Sequence, residues 1–407
     1  MKKIIFIFTF FILLSPLISA KSFFSERYFE MNVYAPVSVS NNAFSVKDIF
    51  QKEIVIDLKE LANSLPKNGL NSILKFSPCY SINVRTPKVH VGLSVGFDLY
   101  DKFSLSKDLF DFLGNGNQIG VPTTVSITND ADFFIHSDIT VGIKNNGSNL
   151  VIKPSIFIPL ATTSGEIGKI SFVNNDDGTI HMNLSSSANV YSYLDFSKVK
   201  NDPASILNNL NAEMIKKIGF DLDVSYMKQV NSDLTIGGNI HFPIVPGRIT
   251  NLINYKYDCD VDFSASDIAN LDSNIFRNTS EIETEYNNDV MLKVNRPLKM
   301  MGMLNYVPFN SIFLYEVGLG FGIHHPFVEG SYAYFEYYLA SSIHLGGFFE
   351  TKLSTEYTDQ VFKHQLQTKL NLRLVELDLG FSFESSTFAK SFSASGFGAF
   401  VSVSAGI

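Results

Sequence analysis

Residues 89–100, with the sequence VHVGLSVGFDLY, alternate without interruption between apolar and small or polar side chains. Successive side chains of a β-strand point to opposite faces, so this segment has one wholly apolar face. That face comprises Val89, Val91, Leu93, Val95, Phe97 and Leu99. The same division returns at residues 313–323, 335–345 and 397–407. Such strands suit a transmembrane β-barrel, in which one face contacts lipid and the other lines a lumen.

Residues 1–20 have the three parts of an export signal. Lys2 and Lys3 provide a positive start, residues 4–14 form a short apolar core, and Ala20 ends a candidate cleavage site. An uncleaved membrane anchor is the alternative, but a spanning helix needs about 20 apolar residues. We therefore predict an exported protein whose mature chain begins near Lys21.

Aromatic residues are abundant in this chain, which has 37 Phe and 17 Tyr but no Trp. Their number exceeds the needs of a soluble core and suits a lipid-facing surface with interfacial girdles. The net charge of −8 argues against a nucleic-acid partner, because a basic footprint is missing. We predict an all-β fold, an antiparallel transmembrane β-barrel of about 12–16 strands with a few short helices. The predicted location is the bacterial outer membrane, in contact with its lipid.

No proline-rich or serine-rich linker divides the sequence, which favours one barrel domain over residues 21–407. Within it, the segment near residues 41–75 is a candidate N-terminal plug, or a periplasmic or lumenal segment. Capping residues followed by apolar side chains at helical spacing predict helices at 202–218 and 264–275. The segments 101–130, 195–218 and 264–285 are long connections in this scheme.

The apolar pattern changes face within residues 361–384. Leu366 and Leu370 share one parity, whereas Val375, Leu377 and Phe381 share the other, and no glycine or proline separates the two sets. A β-bulge, in which one inserted residue reverses the facing of a strand, is the simplest interpretation.

Two short motifs have chemical associations. Residues 92–96, GLSVG, match the nucleophile elbow of hydrolases, but that chemistry needs a sharp turn and here the alternation continues through Ser94. Asp258, Asp260 and Asp262 have the spacing of a calcium loop, but its glycine and its closing glutamate are absent. A solvated strand face is the simpler interpretation of these aspartates.

No metal, cofactor or catalytic residue is predicted. The eight histidines, including the adjacent His324 and His325, show no metal-ligand spacing. Cys79 and Cys259 are a candidate disulfide in an oxidising compartment, although the sequence does not place them near each other.

Strand parity selects the side chains that are expected to face the lumen. Gly318, Gly320 and Gly322 form a row of small residues on such a face, which either lets a ligand or plug approach the wall or relieves crowding. The candidates for a solute path are Ser94, Asp98, Glu316, His324, Tyr334 and Glu336.

Residues 27–120 carry a family resemblance. The segment RYFEMNVYAPVSVSNNAFSVKDIFQKEIVIDLKELANSL, followed by VHVGLSVGFDLYDKFSLSKDLFDFLGNGNQIG, resembles uncharacterised spirochaete outer-membrane barrels. That group is similar to the TraF/FadL-like (long-chain fatty-acid channel) superfamily. The resemblance implies a barrel that handles small hydrophobic molecules. The chain departs from the pattern in lacking an Asn-Pro-Ala start after Ala20 and in ending at Ile407.

Several functional hypotheses follow from the sequence. The leading one is an outer-membrane channel or uptake protein for small hydrophobic solutes by passive diffusion, which needs no enzyme activity. The alternative is a structural or adhesive surface protein with its function in the loops. A barrel hydrolase and a soluble secreted β-sandwich are weaker alternatives, and the oligomeric state stays open.

Overall fold

The computed structural model describes residues 27–44, 57–116, 118–194, 217–264, 283–308, 312–328, 331–345, 347–392 and 395–407. The predicted signal peptide lies outside these residues, and the helices predicted at 202–218 and 264–275 lie almost wholly outside them. None of the described helices is long and apolar enough to cross a membrane.

Alternating apolar and polar side chains form strands along most of the chain. The strands are β1 (Phe29–Asn41), β2 (Leu70–Phe76), β3 (Cys79–Arg85), β4 (Val89–Leu105), β5 (Thr123–Asn145), β6 (Ser148–Thr163), β7 (Glu166–Asn174), β8 (Thr179–Ser192), β9 (Gly219–Gln229), β10 (Leu234–Val245), β11 (Gly247–Ile249), β12 (Asn251–Ser264), β13 (Glu283–Asn287), β14 (Leu292–Val294), β15 (Leu298–Tyr306), β16 (Phe313–His324), β17 (Tyr332–Leu345), β18 (Phe349–Thr358), β19 (Val361–Asn371), β20 (Val375–Ser385) and β21 (Phe397–Gly406). The helices are α1 (Leu58–Ser64), α2 (Lys107–Asn115) and α3 (Phe388–Ser391).

Antiparallel pairing closes these strands into a barrel. From β1 the pairing runs through β21, β20, β19, β18, β17, β16, β15, β10, β9, β6, β5 and β4. β2 and β3 then lie between β4 and β1 and complete the ring. The predicted fold, an antiparallel barrel of about 12–16 strands with few helices, is confirmed.

The two ends of the barrel differ in their connections. One end, the short-turn end, has tight turns such as residues 86–88, 146–147 and 372–374. In the hairpin turn between β5 and β6, Asn146 and Gly147 have φ values of 45° and 76°. These left-handed conformations match the twist of paired strands. The opposite end, the long-loop end, carries the helices and the longer connections.

Above the closed ring, a sheet of β7, β8, β12 and β13 continues the barrel wall at the long-loop end. β5 has 23 residues and reaches this sheet by pairing with β7 beyond its contact with β6. The sheet packs against α2 through an apolar cluster of Phe112, Val125, Phe172, Met182, Cys259 and Val261. Its other face is polar, and Asp260 and Asp262 lie there as exposed side chains beside His181.

The candidate disulfide is not present. Cys79 begins β3 opposite Gly96, whereas Cys259 lies in β12 opposite Leu184. Cys259 is buried in the apolar cluster of the upper sheet. The two cysteines are on different strands of different parts of the wall, so they form no disulfide.

The segment near residues 41–75, predicted as a candidate plug, begins at the end of β1 and finishes in β2. The Asp57 carboxylate caps α1 by accepting hydrogen bonds from the amides of Lys59 and Glu60. Leu61 of α1 then packs against Phe110 of α2 at the long-loop end. Residues 45–56 lie outside the described residues, so the plug remains a prediction.

The outer and inner faces follow the alternation of the sequence. In β4, Val91, Leu93 and Val95 are 48%, 51% and 44% exposed. The residues between them, among them Ser94, are buried on the inner side. The apolar side chains therefore form the outer surface of the barrel, as the pattern predicts.

The predicted β-bulge within residues 361–384 is wrong. The change of facing is a hairpin turn between β19 and β20, and the pairing of these strands shows no register shift. Arg373 takes the left-handed φ of 71°, and its amide donates to the Asn371 side chain. Arg27 also donates to the Arg373 carbonyl oxygen, at 3.2 Å. Contacts from a distant part of the chain thus hold a turn that lacks glycine.

Candidate functional site: the barrel lumen

A ribbon of two short strands narrows the lumen. β11 and β14 form a sheet of their own between the barrel strands and the upper sheet. Ile249 and Val294 of this ribbon are 0% and 4% exposed. They pack against Phe134 and Phe157, whose side chains point inward from β5 and β6. The ribbon is therefore held against inward-pointing side chains of the barrel strands.

Arg296 follows the ribbon and bridges separate parts of the wall. Its guanidinium donates to Asp98 of β4 at 2.8 Å and to Asp221 of β9 at 3.2 Å. It also donates to the Ser155 hydroxyl of β6 at 3.3 Å. The Asp221 side chain is 0% exposed. The planar fork of an arginine suits such a junction because it can donate to several acceptors at once.

Asp138 is the centre of a second polar cluster on the neighbouring strand, β5. Its carboxylate accepts hydrogen bonds from Ser94 at 2.9 Å and from Ser155 at 2.6 Å. Lys153 lies 3.0 Å from the same carboxylate. His136 contacts Asp138 at 3.1 Å and reaches toward Asp98 at 3.7 Å. Ser155 connects this cluster to Arg296.

A cavity of about 760 Å³ lies inside the barrel. Two kinds of wall surround it. The charged groups of Asp98, Arg296 and Lys153 lie along one part of its lining. Aromatic and thioether side chains form other parts of the lining: Tyr100, Phe134, Met301, Met303 and Tyr334. The lining also includes further charged side chains: Lys75, Asp132, Asp223, Lys299, Glu316, Glu336, Glu356 and Asp359. The cavity therefore presents apolar surface beside charges that are already paired.

The charges near β16–β18 are also paired. Lys352 lies 2.6 Å from Glu316, and Tyr338 donates to the same carboxylate at 3.4 Å. Thr358 donates to Glu336. Because their acceptors are satisfied locally, these groups do not need a charged ligand.

The structure places all six candidates for the solute path on the inner face. The cavity lining includes Asp98, Glu316, His324, Tyr334 and Glu336. Ser94 instead lies beside Asp138. A role for these six residues in solute passage remains a prediction.

The alternation of side chains along the strands did not identify Arg296 and Asp221 as lumenal residues. Arg296 is not on a strand, since it lies between β14 and β15. Asp221 is on the inner face of β9, but nothing local identifies its partner, which is 75 residues away. A lone arginine before Pro297 in a chain with few charges was the only available signal.

The row of lumenal glycines makes room for neighbouring side chains. A Cβ atom on Gly322 would lie 2.3 Å from the Tyr334 ring, and one on Gly318 would lie 2.9 Å from the Met301 sulfur. A Cβ atom on Gly320 would lie 2.2 Å from the carbonyl oxygen of Met300 in β15. These contacts favour relief of crowding over an approach surface for a plug.

We expect Gly322→Ala to destabilise the barrel by about 1–3 kcal/mol, because Tyr334 must leave its place. Gly302→Ala is the matched control, since a Cβ there meets nothing closer than 3.8 Å. Urea denaturation of both variants in detergent measures the difference. Equal midpoints would show that the Tyr334 ring is not confined by Gly322.

The turn between β16 and β17 folds across the lumen toward β5. His325 lies 3.1 Å from Asp130, and the two are 195 residues apart. His324 and His325 stack with ring centroids 4.2 Å apart, and Asn295 donates to the Pro326 carbonyl oxygen. Burial lowers the pKa of His325, but the hydrogen bond to Asp130 and the nearby Asp132 outweigh it and raise that pKa above its ordinary value.

The comparisons with known proteins concern solved structures. No family model matches the sequence, and no curated protein matches it. The chain is similar to the P. putida toluene transporter TodX, with a TM-score of 0.48, 8% identity, and coverage of 94% of this chain and 91% of that chain. It is also similar to the Ralstonia pickettii toluene transporter TbuX, with a TM-score of 0.45, 7% identity, and coverage of 94% of this chain and 90% of that chain. A third similar structure is a Pseudomonas aeruginosa FadL homologue, with a TM-score of 0.41, 9% identity, and coverage of 93% of this chain and 90% of that chain.

The resemblance of the sequence to the FadL-like superfamily stays a prediction. The spirochaete origin stays a prediction.

Proposed function

We propose that this protein is an outer-membrane channel or uptake protein that admits small hydrophobic solutes by passive diffusion. The observation that carries the proposal is the cavity of about 760 Å³ inside a closed barrel with an apolar outer surface. A solute of this class would contact Tyr334, Met301 and Met303, and would not need to displace the paired charges. Apolar contact of this kind suits a ligand without strong polar groups.

Solute entry can be tested with the purified mature chain in lipid vesicles. We expect a fluorescent aromatic probe and a labelled fatty acid to equilibrate faster across vesicles that contain the barrel than across empty ones. Sugars should cause little swelling, since the Arg296 contacts and the ribbon of β11 and β14 narrow the lumen. Vesicles with protein that are as tight to the probes as empty ones would contradict the proposal.

Met303→Asp should lower the flux of the hydrophobic probe about tenfold or more, because a carboxylate would replace apolar contact in the cavity wall. Met303→Leu is the matched control and should keep the flux. Both variants must show heat-modifiable gel mobility, so that a folding defect is distinguished from a lost path. Equal flux through both variants would place the path elsewhere.

The second candidate is a structural or adhesive surface protein. The sheet of β7, β8, β12 and β13 favours it, because this sheet extends beyond the barrel and has its own apolar cluster. Deleting the hairpin turn of residues 175–178 should leave probe flux unchanged if the barrel is a channel. If the vesicles are tight but this deletion abolishes attachment of cells that display the protein, the adhesive function is supported instead.

A further inference from the structure

We propose that Asp130, His324 and His325 form a binding site for a divalent transition-metal cation of the zinc class, which fastens the β16–β17 turn to β5 across the lumen. One atom from each of these three residues lies within 4.8 Å of the others. Two imidazoles and a carboxylate are a ligand set that Zn²⁺ accepts. The site borders the cavity, because His324 is one of the lining residues.

The ligand separations suit a single cation. In tetrahedral zinc sites with bonds of about 2.0–2.2 Å, neighbouring ligand atoms are about 3.3 Å apart. Here His325 Nε2 lies 3.1 Å from Asp130 Oδ1 and 3.7 Å from Asp132 Oδ2. His324 Nε2 lies 3.6 Å from the same Asp132 oxygen. Because the two rings are stacked, at least one imidazole has to rotate before both Nε2 lone pairs can meet at one cation.

The backbone brings the two histidines to one side. Adjacent residues of a straight strand point to opposite faces, so a His-His pair normally cannot share a ligand. His325 has a φ of 46°, a left-handed conformation that is costly for a residue with a Cβ. As a result the rings are nearly parallel, with an angle of 8° between them. Strain of this kind is often retained at functional sites.

The surrounding hydrogen bonds orient His324 for a ligand role. The Tyr332 hydroxyl donates to Asp359 at 2.9 Å, so its oxygen can accept from His324 Nδ1, which is 3.4 Å away. A proton on Nδ1 leaves the lone pair of Nε2 directed at Asp132. Lone pairs and carboxylate oxygens repel each other unless a proton or a metal cation lies between them. Second-layer contacts like that of Tyr332 fix the tautomer of metal-binding histidines.

Asp132 supports the cluster from the same strand as Asp130. Its side chain is 4% exposed, and Thr162 donates to it at 2.7 Å. It is therefore held next to both imidazoles, where it can serve as a fourth ligand or hold their orientation. The ligands come from β5 and from the end of β16, which are not neighbours in the barrel. A bound cation would thus join two walls.

The test uses the complete mature chain, folded in detergent and stripped with EDTA. We expect one Zn²⁺ per chain in competition with a chromophoric chelator, and a visible d–d absorption on addition of Co²⁺. Zn²⁺ should also raise the midpoint of thermal unfolding, because it binds only the folded site. His325→Gln and Asp130→Asn should abolish the absorption. Tyr332→Phe keeps the ligands and should weaken binding about 10–100-fold.

Two controls separate this site from other histidines. His90→Gln removes a lumenal histidine that contacts Asn83, and it should leave zinc binding unchanged. His181→Gln removes the exposed histidine beside Asp260 and Asp262, and it should also leave it unchanged. Failure to bind zinc, or stoichiometric binding that survives His325→Gln and Asp130→Asn in folded protein, would overturn the proposal. In the first case the cluster is a simple His–Asp ion pair.

Discussion

Arg296→Ala is expected to destabilise the barrel by about 3–5 kcal/mol, because it removes one partner of a buried charge cluster. Arg296 is the guanidinium that holds Asp98 and the fully buried Asp221 together. Without it, the His241 imidazole, 3.5 Å from the Asp221 carboxylate, would remain beside this buried group. The urea midpoint of the folded protein in detergent measures the loss.

Two further variants make this test specific. Lys256→Ala breaks the pair of Lys256 and Glu285, whose side chains are 42% and 62% exposed, and it should cost no more than about 1 kcal/mol. The triple variant Arg296→Met, Asp98→Asn and Asp221→Asn removes the charges together and should recover much of the stability. If Arg296→Ala were as stable as Lys256→Ala, the cluster would not support the fold.

A charge on the outer face should have a comparable effect in lipid. Leu93→Arg places a guanidinium on the apolar side of β4, four residues after its first residue, where Leu93 is 51% exposed. An arginine near the midplane of a bilayer costs about 2–4 kcal/mol on the lipid face of a barrel. We therefore expect Leu93→Arg to make the barrel folded in vesicles less stable than the parent protein by this amount.

The control for Leu93→Arg is an arginine placed nearer the end of the same strand. Val89 begins β4 beside the short turn 86–88 and has a similar outward exposure of 42%. Val89→Arg should cost only about 0–1 kcal/mol, because the penalty falls toward the interface. Equal penalties at Leu93 and Val89, or none at either, would mean that this face does not contact the hydrocarbon core.

Local patterns predicted the parts of this fold that depend on local geometry. The facing of a side chain follows from its position in a strand, so Val91 and Ser94 could be assigned to opposite sides from sequence. The Asn146-Gly147 turn was predictable for a similar reason, since these residues tolerate a positive φ. The inner-face positions of Glu316 and Glu336 followed from the same rule.

Features that depend on distant contacts could not be predicted. The turn at Arg373 is held by Arg27, which is 346 residues away. Arg296 and Asp98 are 198 residues apart and meet only after the barrel closes. The clustering of His324 with His325 depends on one left-handed φ, for which histidine gives no strong signal. The β11–β14 ribbon consists of strands too short to show a periodicity.

The pairing of β1 with β21 has a consequence for biogenesis. These are the first and last strands that the structure describes, and they pair from Glu30–Gly406 to Val39–Phe397. Until the last segment has been delivered, β1 has an open edge that can recruit other chains. The seam therefore forms late, and a polypeptide truncated before Phe397 should aggregate unless a chaperone shields it.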